Sequence, residues 1–173
     1  SSTPRTVPSA PQINSVTSGA TSLTLALSIN NGGAAVSNVA YRYRSVSAAG
    51  ITSCSASYST LNWLENWIDW VEVGFTENLT IAGLSNTNCY DVQVRARNIA
   101  GNGNSSRESG RPVSVPTAPT ITGLVSGNSS IGVTFTETAD NGGTALTRYE
   151  YRVGTGTWVS LTTDPDFVFG SST

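Results

Sequence analysis

The chain repeats itself, and the repeat limits what it can fold into. Pro8-Ser-Ala-Pro11 returns as Pro116-Thr-Ala-Pro119, 108 positions later. At that spacing Ile13 meets Ile121, Ser18-Gly19 meets Ser126-Gly127, and Leu23, Leu25 and Leu27 meet Ile131, Val133 and Phe135. Asn31-Gly32-Gly33 reappears as Asn141-Gly142-Gly143, and Tyr41-Arg-Tyr43-Arg44 as Tyr149-Glu-Tyr151-Arg152. Trp70-Val-Glu-Val73 then matches Trp158-Val-Ser-Leu161 at a spacing of only 88, so the first copy carries about 20 extra residues, roughly within 45–69. A module near 88 residues used twice must close a small core in each copy, as repeats do.

Within a copy the apolar period is two. Leu23, Leu25 and Leu27 alternate with Thr24, Ala26 and Ser28, and Tyr90, Val92, Val94 and Ala96 alternate with Asp91, Gln93, Arg95 and Arg97. Such runs bury one face and wet the other, which is the pattern of sandwich strands. Between them stand Asn30-Asn31-Gly32-Gly33, Gly101-Asn102-Gly103-Asn104 and Asp140-Asn141-Gly142-Gly143, residues that enter turns at little steric cost. The pattern predicts strands near 11–17, 21–28, 38–45, 70–74, 78–82, 88–98 and 105–113, then near 119–125, 129–136, 146–153 and 157–161. The fold class is therefore all-β. A tail over 1–7, a first domain over 8–115 and an incomplete second domain over 116–173 are expected, because nothing in 116–173 matches Leu84 through Arg111. A sandwich without those strands exposes unpaired backbone, so continuation of the chain or a strand from a neighbour is expected to complete it.

Composition narrows the chemistry. All nine basic residues are Arg, and the chain has no Lys, His or Met. That removes His bases, Ser-His and Cys-His pairs, His-ligated metals, lysine Schiff bases and the P-loop lysine. Paired carboxylates survive as a catalytic device among 11 Asp and Glu. A net charge of −2 with scattered Arg offers no field for phosphates, and no apolar run is long enough to span a membrane, so neither nucleic acid nor membrane insertion is expected. No enzyme, cofactor or metal is expected.

Leu84-Ser-Asn-Thr-Asn-Cys-Tyr90-Asp-Val-Gln-Val-Arg-Ala-Arg-Asn98, followed by Ile-Ala-Gly101-Asn-Gly103, resembles the signature of fibronectin type III domains of the bacterial and phage kind. The opening Pro-x-x-Pro, the Asn-Gly-Gly turn and the Tyr-x-Tyr-Arg strand fit in both copies. The resemblance implies tandem immunoglobulin-like β-sandwiches of fibronectin type III topology, with Leu84 and Tyr90 forming a tyrosine corner whose hydroxyl bonds to upstream backbone. Leu27 and Phe135 stand where the family usually has a core Trp, and the insertion is not a family feature.

Cys54 and Cys89 are the only cysteines. Domains of the resembled kind live where disulfides persist, so a bridge is expected, against the alternative of two free thiols. The insertion holds Tyr58, Trp63, Trp67 and Trp70, of which the three Trp fall at i, i+4 and i+7, one face of a helix. These aromatics are candidates for a partner or glycan surface, against the alternative of a satellite core with Leu61, Leu64 and Ile68. Asn78-Leu-Thr80, Asn104-Ser-Ser106 and Asn128-Ser-Ser130 match the glycosylation acceptor at a frequency expected by chance. Asp140-Asn141-Gly142-Gly143 and Asp164-Pro165-Asp166 read as turns rather than calcium loops.

The resemblance implies a structural or adhesive segment of an extracellular surface, filament or virion protein. Its expected partners are copies of itself or a surface or virion scaffold, with surface glycans as a further class. The alternative is an accessory spacer or carbohydrate-binding module of a secreted glycan-degrading enzyme.

Overall fold

The structure is a computed structural model that describes residues 4–49, 51, 53–54, 67–161 and 166–170, the last as backbone only. Every regular element among them is a strand. The chain divides into two compact units, Ser1–Ser114 and Val115–Thr173.

Unit 1 holds β1 (Gln12–Ser18), β2 (Ser22–Ser28), β3 (Val36–Ser47), β4 (Val71–Gly74), β5 (Asn78–Ala82), β6 (Asn88–Asn98) and β7 (Gly101–Gly110). They form two antiparallel sheets, ordered β1-β2-β5 and β4-β3-β6-β7. Three strands facing four in this order make an immunoglobulin-like sandwich of fibronectin type III topology. The alternation foreseen in the sequence faces the core: Leu23, Leu25 and Leu27 from one sheet meet Val39, Tyr90, Val92 and Val94 from the other, all nearly or fully buried. Leu79, Ile81 and Leu84 close the same cluster.

Two boundaries differ from those read in the sequence. β3 continues through Ser47, paired as far as Asn88, so residues 45–47 belong to the sheet and not to the insertion. β7 begins at Gly101 because Asn98 and Gly101 pair across a tight turn, placing the Gly-rich segment inside the strand.

The Asn-Gly-Gly turn ties the entering chain to the sandwich. Gly32 and Gly33 sit at φ 65° and 82°, and their amides donate to the side-chain oxygens of Asn30 and Asn31. A Cβ on Gly32 would lie 2.4 Å from the Thr6 carbonyl oxygen, so glycine is required there on two counts. Asn98, 2% exposed, donates from Nδ2 to the carbonyls of Thr6 and Asn31 at 2.7 and 2.8 Å.

Unit 2 holds β8 (Thr120–Gly127), β9 (Ser130–Thr136), β10 (Tyr149–Tyr151), β11 (Val159–Leu161) and β12 (Asp166–Gly170). The order in one sheet is β12-β9-β8, while β10 and β11 form a separate pair. β10 is only three residues long, shorter than the strand expected over 146–153. β12 was not foreseen. Gly142 and Gly143 repeat the turn of unit 1, with φ 72° and 89° and amides donating to Asp140 Oδ1 and Asn141 Oδ1. Asp140 thus serves turn geometry, whereas Asp164 lies outside the described residues.

Candidate functional site

The outer face of the four-stranded sheet in unit 1 is laid out by strand alternation. On β3, Tyr41 and Tyr43 pack against the core, which sends Arg42 and Arg44 outward. Register places Arg44 opposite Asp91, Arg42 opposite Gln93, and Ala40 opposite Arg95. On the next strand Arg107 stands opposite Gln93. Four guanidinium groups and one carboxylate therefore crowd one patch.

Asp91 is the electrostatic centre of this patch and is wholly buried. Arg44 Nε donates to Asp91 Oδ2 at 2.7 Å, Arg107 Nε donates to Oδ1 at 2.6 Å, and the Arg107 terminal nitrogen also donates to Oδ2. Two forked cations satisfy a charge that would otherwise be costly to bury. Beside it, Arg42 Nε donates to Gln93 Oε1 at 2.9 Å. At the far end Asn38 Nδ2 donates to Glu72, and Arg97 stands 3.8 Å from the same carboxylate.

Two tryptophans cover the guanidinium groups. Arg42 and Arg44 each stand 4.9 Å from the ring of Trp67, and Arg107 stands 5.7 Å from it. Arg42 also lies 4.8 Å from Trp70, and Arg95 lies 4.0 Å from that ring. Arg42 is thus shared between the two indoles, and the face reads Arg44 and Arg107, Trp67, Arg42, Trp70, Arg95. Each such contact contributes about 0.5–1 kcal/mol near the surface and more when desolvated.

This placement corrects the helical reading of the tryptophan spacing. Residues 67–70 are not helical; the Ile68 amide donates to the Tyr43 carbonyl at 3.0 Å, holding the segment along the sheet. Trp67 and Trp70 are half-buried on guanidinium groups. Tyr58 and Trp63 lie outside the described residues, as do Leu61 and Leu64.

Cys54 and Cys89 form a disulfide, with Cα atoms 5.5 Å apart. Cys89 is fully buried on β6, and Ser109 Oγ donates to the Cys54 carbonyl at 2.8 Å. The insertion therefore begins under a covalent tie to the sheet and ends under the tryptophans. Next to Cys89, Tyr90 makes the corner: the Ser85 amide donates to its hydroxyl oxygen at 2.8 Å, and its ring meets Tyr43 edge-on at 5.5 Å. Leu84, 3% exposed, seals the ring below.

The Arg ladder went unread in the sequence. Alternation puts only Arg95 of its members on a wet face, and the signal that marks Arg42, Arg44, Arg95 and Arg107 is their place on strands that pair.

No family model matches the chain, and no curated protein does. Among solved structures, it is similar to one described as "Myokine structure", with 17% identity over 61% of this chain and 97% of that one, at a TM-score of 0.44. It is likewise similar to the fn3 domain of human collagen alpha-1(XX) chain, with 21% identity over 69% of this chain and 95% of that one, at a TM-score of 0.44. The strand order of unit 1 is that of a fibronectin type III-like sandwich, and Cys54–Cys89 bridges it.

Proposed function

We propose that the chain is a non-enzymatic structural and adhesive segment of a long extracellular surface, filament or virion protein, mediating assembly or attachment, and that its two units are copies of one module. The observation that carries this reading is the fixing of the insertion at both ends, by Cys54–Cys89 and by Trp67 and Trp70 on the arginine ladder. A sandwich that ties down both ends of a surface segment, with a disulfide and with Trp67 and Trp70 on an ion cluster, is suited to presenting it to a partner. The disulfide also fits an oxidising compartment. Stacking on sugar rings is disfavoured at Trp67 and Trp70, whose rings already hold guanidinium groups.

Immunogold electron microscopy on the intact source, with an antibody against unit 1, tests the reading. Label recurring at fixed positions on a particle, filament or cell surface supports it. Label confined to the cytoplasm, or free in the medium as monomer, overturns it.

A further inference from the structure

Edge strands present unpaired backbone, and unit 1 guards its four edges unequally. β1 is bulged between Ile13 and Ser15, and at its end Ser18 Oγ donates to the Arg111 carbonyl at 2.7 Å. β7 runs beside the entering chain, where Ser106 Oγ donates to the Pro11 carbonyl and a Cβ on Gly103 would strike the Pro8 carbonyl. β4 carries the charge of Glu72, which accepts from Asn38 Nδ2 at 2.8 Å. β5 has none of these devices. Asn78–Ala82 contains no charged residue and no Pro, pairs with β2 without a register shift, and has β2 as its one neighbour among the described strands.

The Leu27 amide donates to the Glu77 carbonyl at 2.7 Å, so antiparallel alternation turns the backbone of Leu79 and Ile81 toward β2 and that of Asn78, Thr80 and Ala82 away from it. The Thr76 hydroxyl occupies Asn78, accepting from its amide at 3.1 Å and donating to its carbonyl at 3.0 Å. Thr80 and Ala82 are exposed. Thr17, Thr24 and Thr80 stand in register across the three strands, and the Thr24 and Thr80 hydroxyl oxygens lie 3.0 Å apart.

We propose that two copies of the chain associate through β5, antiparallel about Thr80, so that their three-stranded sheets join into one of six strands. β5 is complementary to itself in this register. Thr80 faces Thr80, Leu79 faces Ile81 of the second copy, and Asn78 faces Ala82, while Glu77, just outside the strand, meets Gly83, so no like charges are opposed. The Thr80 pair exchanges two backbone hydrogen bonds, and Ala82 takes over the Asn78 groups that the Thr76 hydroxyl holds in the single chain. Cross-strand Thr pairs stabilise a sheet, and the threonine row continues into the second copy. Leu79 and Ile81 are already 2% and 1% exposed within their own core, so backbone pairing supplies the affinity, and the dimer belongs to the weak class with a small interface. This contact rests on the assembly reading proposed above and gives it a surface and a partner.

Sedimentation equilibrium of the full chain at concentrations up to about 1 mM reads the association, a range that captures weak dimers. The expected result is a concentration-dependent dimer, with hydrogen exchange at the Thr80 and Ala82 amides slowing as it forms. Thr80→Lys opposes like charges and is expected to weaken the dimer by about fivefold or more, whereas an equimolar mixture of Thr80→Lys and Thr80→Glu chains associates more tightly than either variant alone. Exchange at the Leu79 and Ile81 amides of the dilute variants checks that the fold is kept, and the Thr80 and Ala82 amides of the parent chain decide the matter should a variant unfold. A monomer at about 1 mM, a dimer in which Thr80 and Ala82 exchange as in the monomer, or a mixture no tighter than its components overturns the pairing through β5. Each of these outcomes leaves the wider reading standing, which fails on the labelling pattern alone.

Discussion

Asp91→Asn removes the one negative charge enclosed between Arg44 and Arg107 while preserving shape. The carboxylate is 0% exposed, and the two arginine side chains are 21% and 32% exposed. Removing one partner of a fully buried ion pair costs about 3–5 kcal/mol, and the residual exposure of both cations lets water offset part of it, so a loss of about 2–3 kcal/mol is expected. The indole of Trp67 depends on the same two guanidinium groups, at 4.9 and 5.7 Å. Asp91→Asn and Trp67→Ala should therefore cost less together than the sum of their separate effects, by about 1 kcal/mol. Hydrogen exchange of the β3 and β6 amides reads the stability of unit 1 alone within the full chain. A loss below about 0.5 kcal/mol for Asp91→Asn, or additivity of the two changes within about 0.3 kcal/mol, would refute the coupled ladder.

Replacing both cysteines by Ala frees a segment of 35 residues and is expected to lower unit 1 stability by about 4 kcal/mol in the chain-entropy account, measured as a shift in urea midpoint. Gly32→Ala places a methyl group against the Thr6 carbonyl at positive φ; a loss above about 1 kcal/mol is expected, together with faster exchange of the Thr6 amide. Tyr90→Phe removes the acceptor of the Ser85 amide and should cost about 1–2 kcal/mol with no change in strand content by circular dichroism.

The sandwich was legible because its strands carry clean alternation and its turns carry Asn and Gly. Leu23-x-Leu25-x-Leu27 and Tyr90-x-Val92-x-Val94 fix which face is inward without any knowledge of partners. The ladder was not legible, because its members lie on three strands and an insertion, and only register brings Arg42, Arg95 and Arg107 near Trp67 and Trp70. The tryptophan spacing reads as a helix, yet Trp67 and Trp70 stand in a non-helical segment over guanidinium groups that strand pairing brings there. β12 escaped notice because Asp166-Phe-Val-Phe-Gly170 shares with Asn78-Leu-Thr-Ile-Ala82 only the placement of two large apolar residues. Its kinship with β5 appears in the register and not in residue identity.

The central claim is that unit 1 holds its insertion by a covalent tie at one end and the arginine ladder at the other, in a compartment that keeps the tie oxidised. No Lys or Arg lies between Arg44 and Arg95, so trypsin releases residues 45–95, with both Cys54 and Cys89, as one peptide. Mass spectrometry of that peptide, from protein alkylated in its native source without reduction, reads the state directly. The account predicts an unalkylated peptide lighter than its reduced form by the mass of two hydrogens. Alkylation at both Cys54 and Cys89 in freshly harvested material would contradict it.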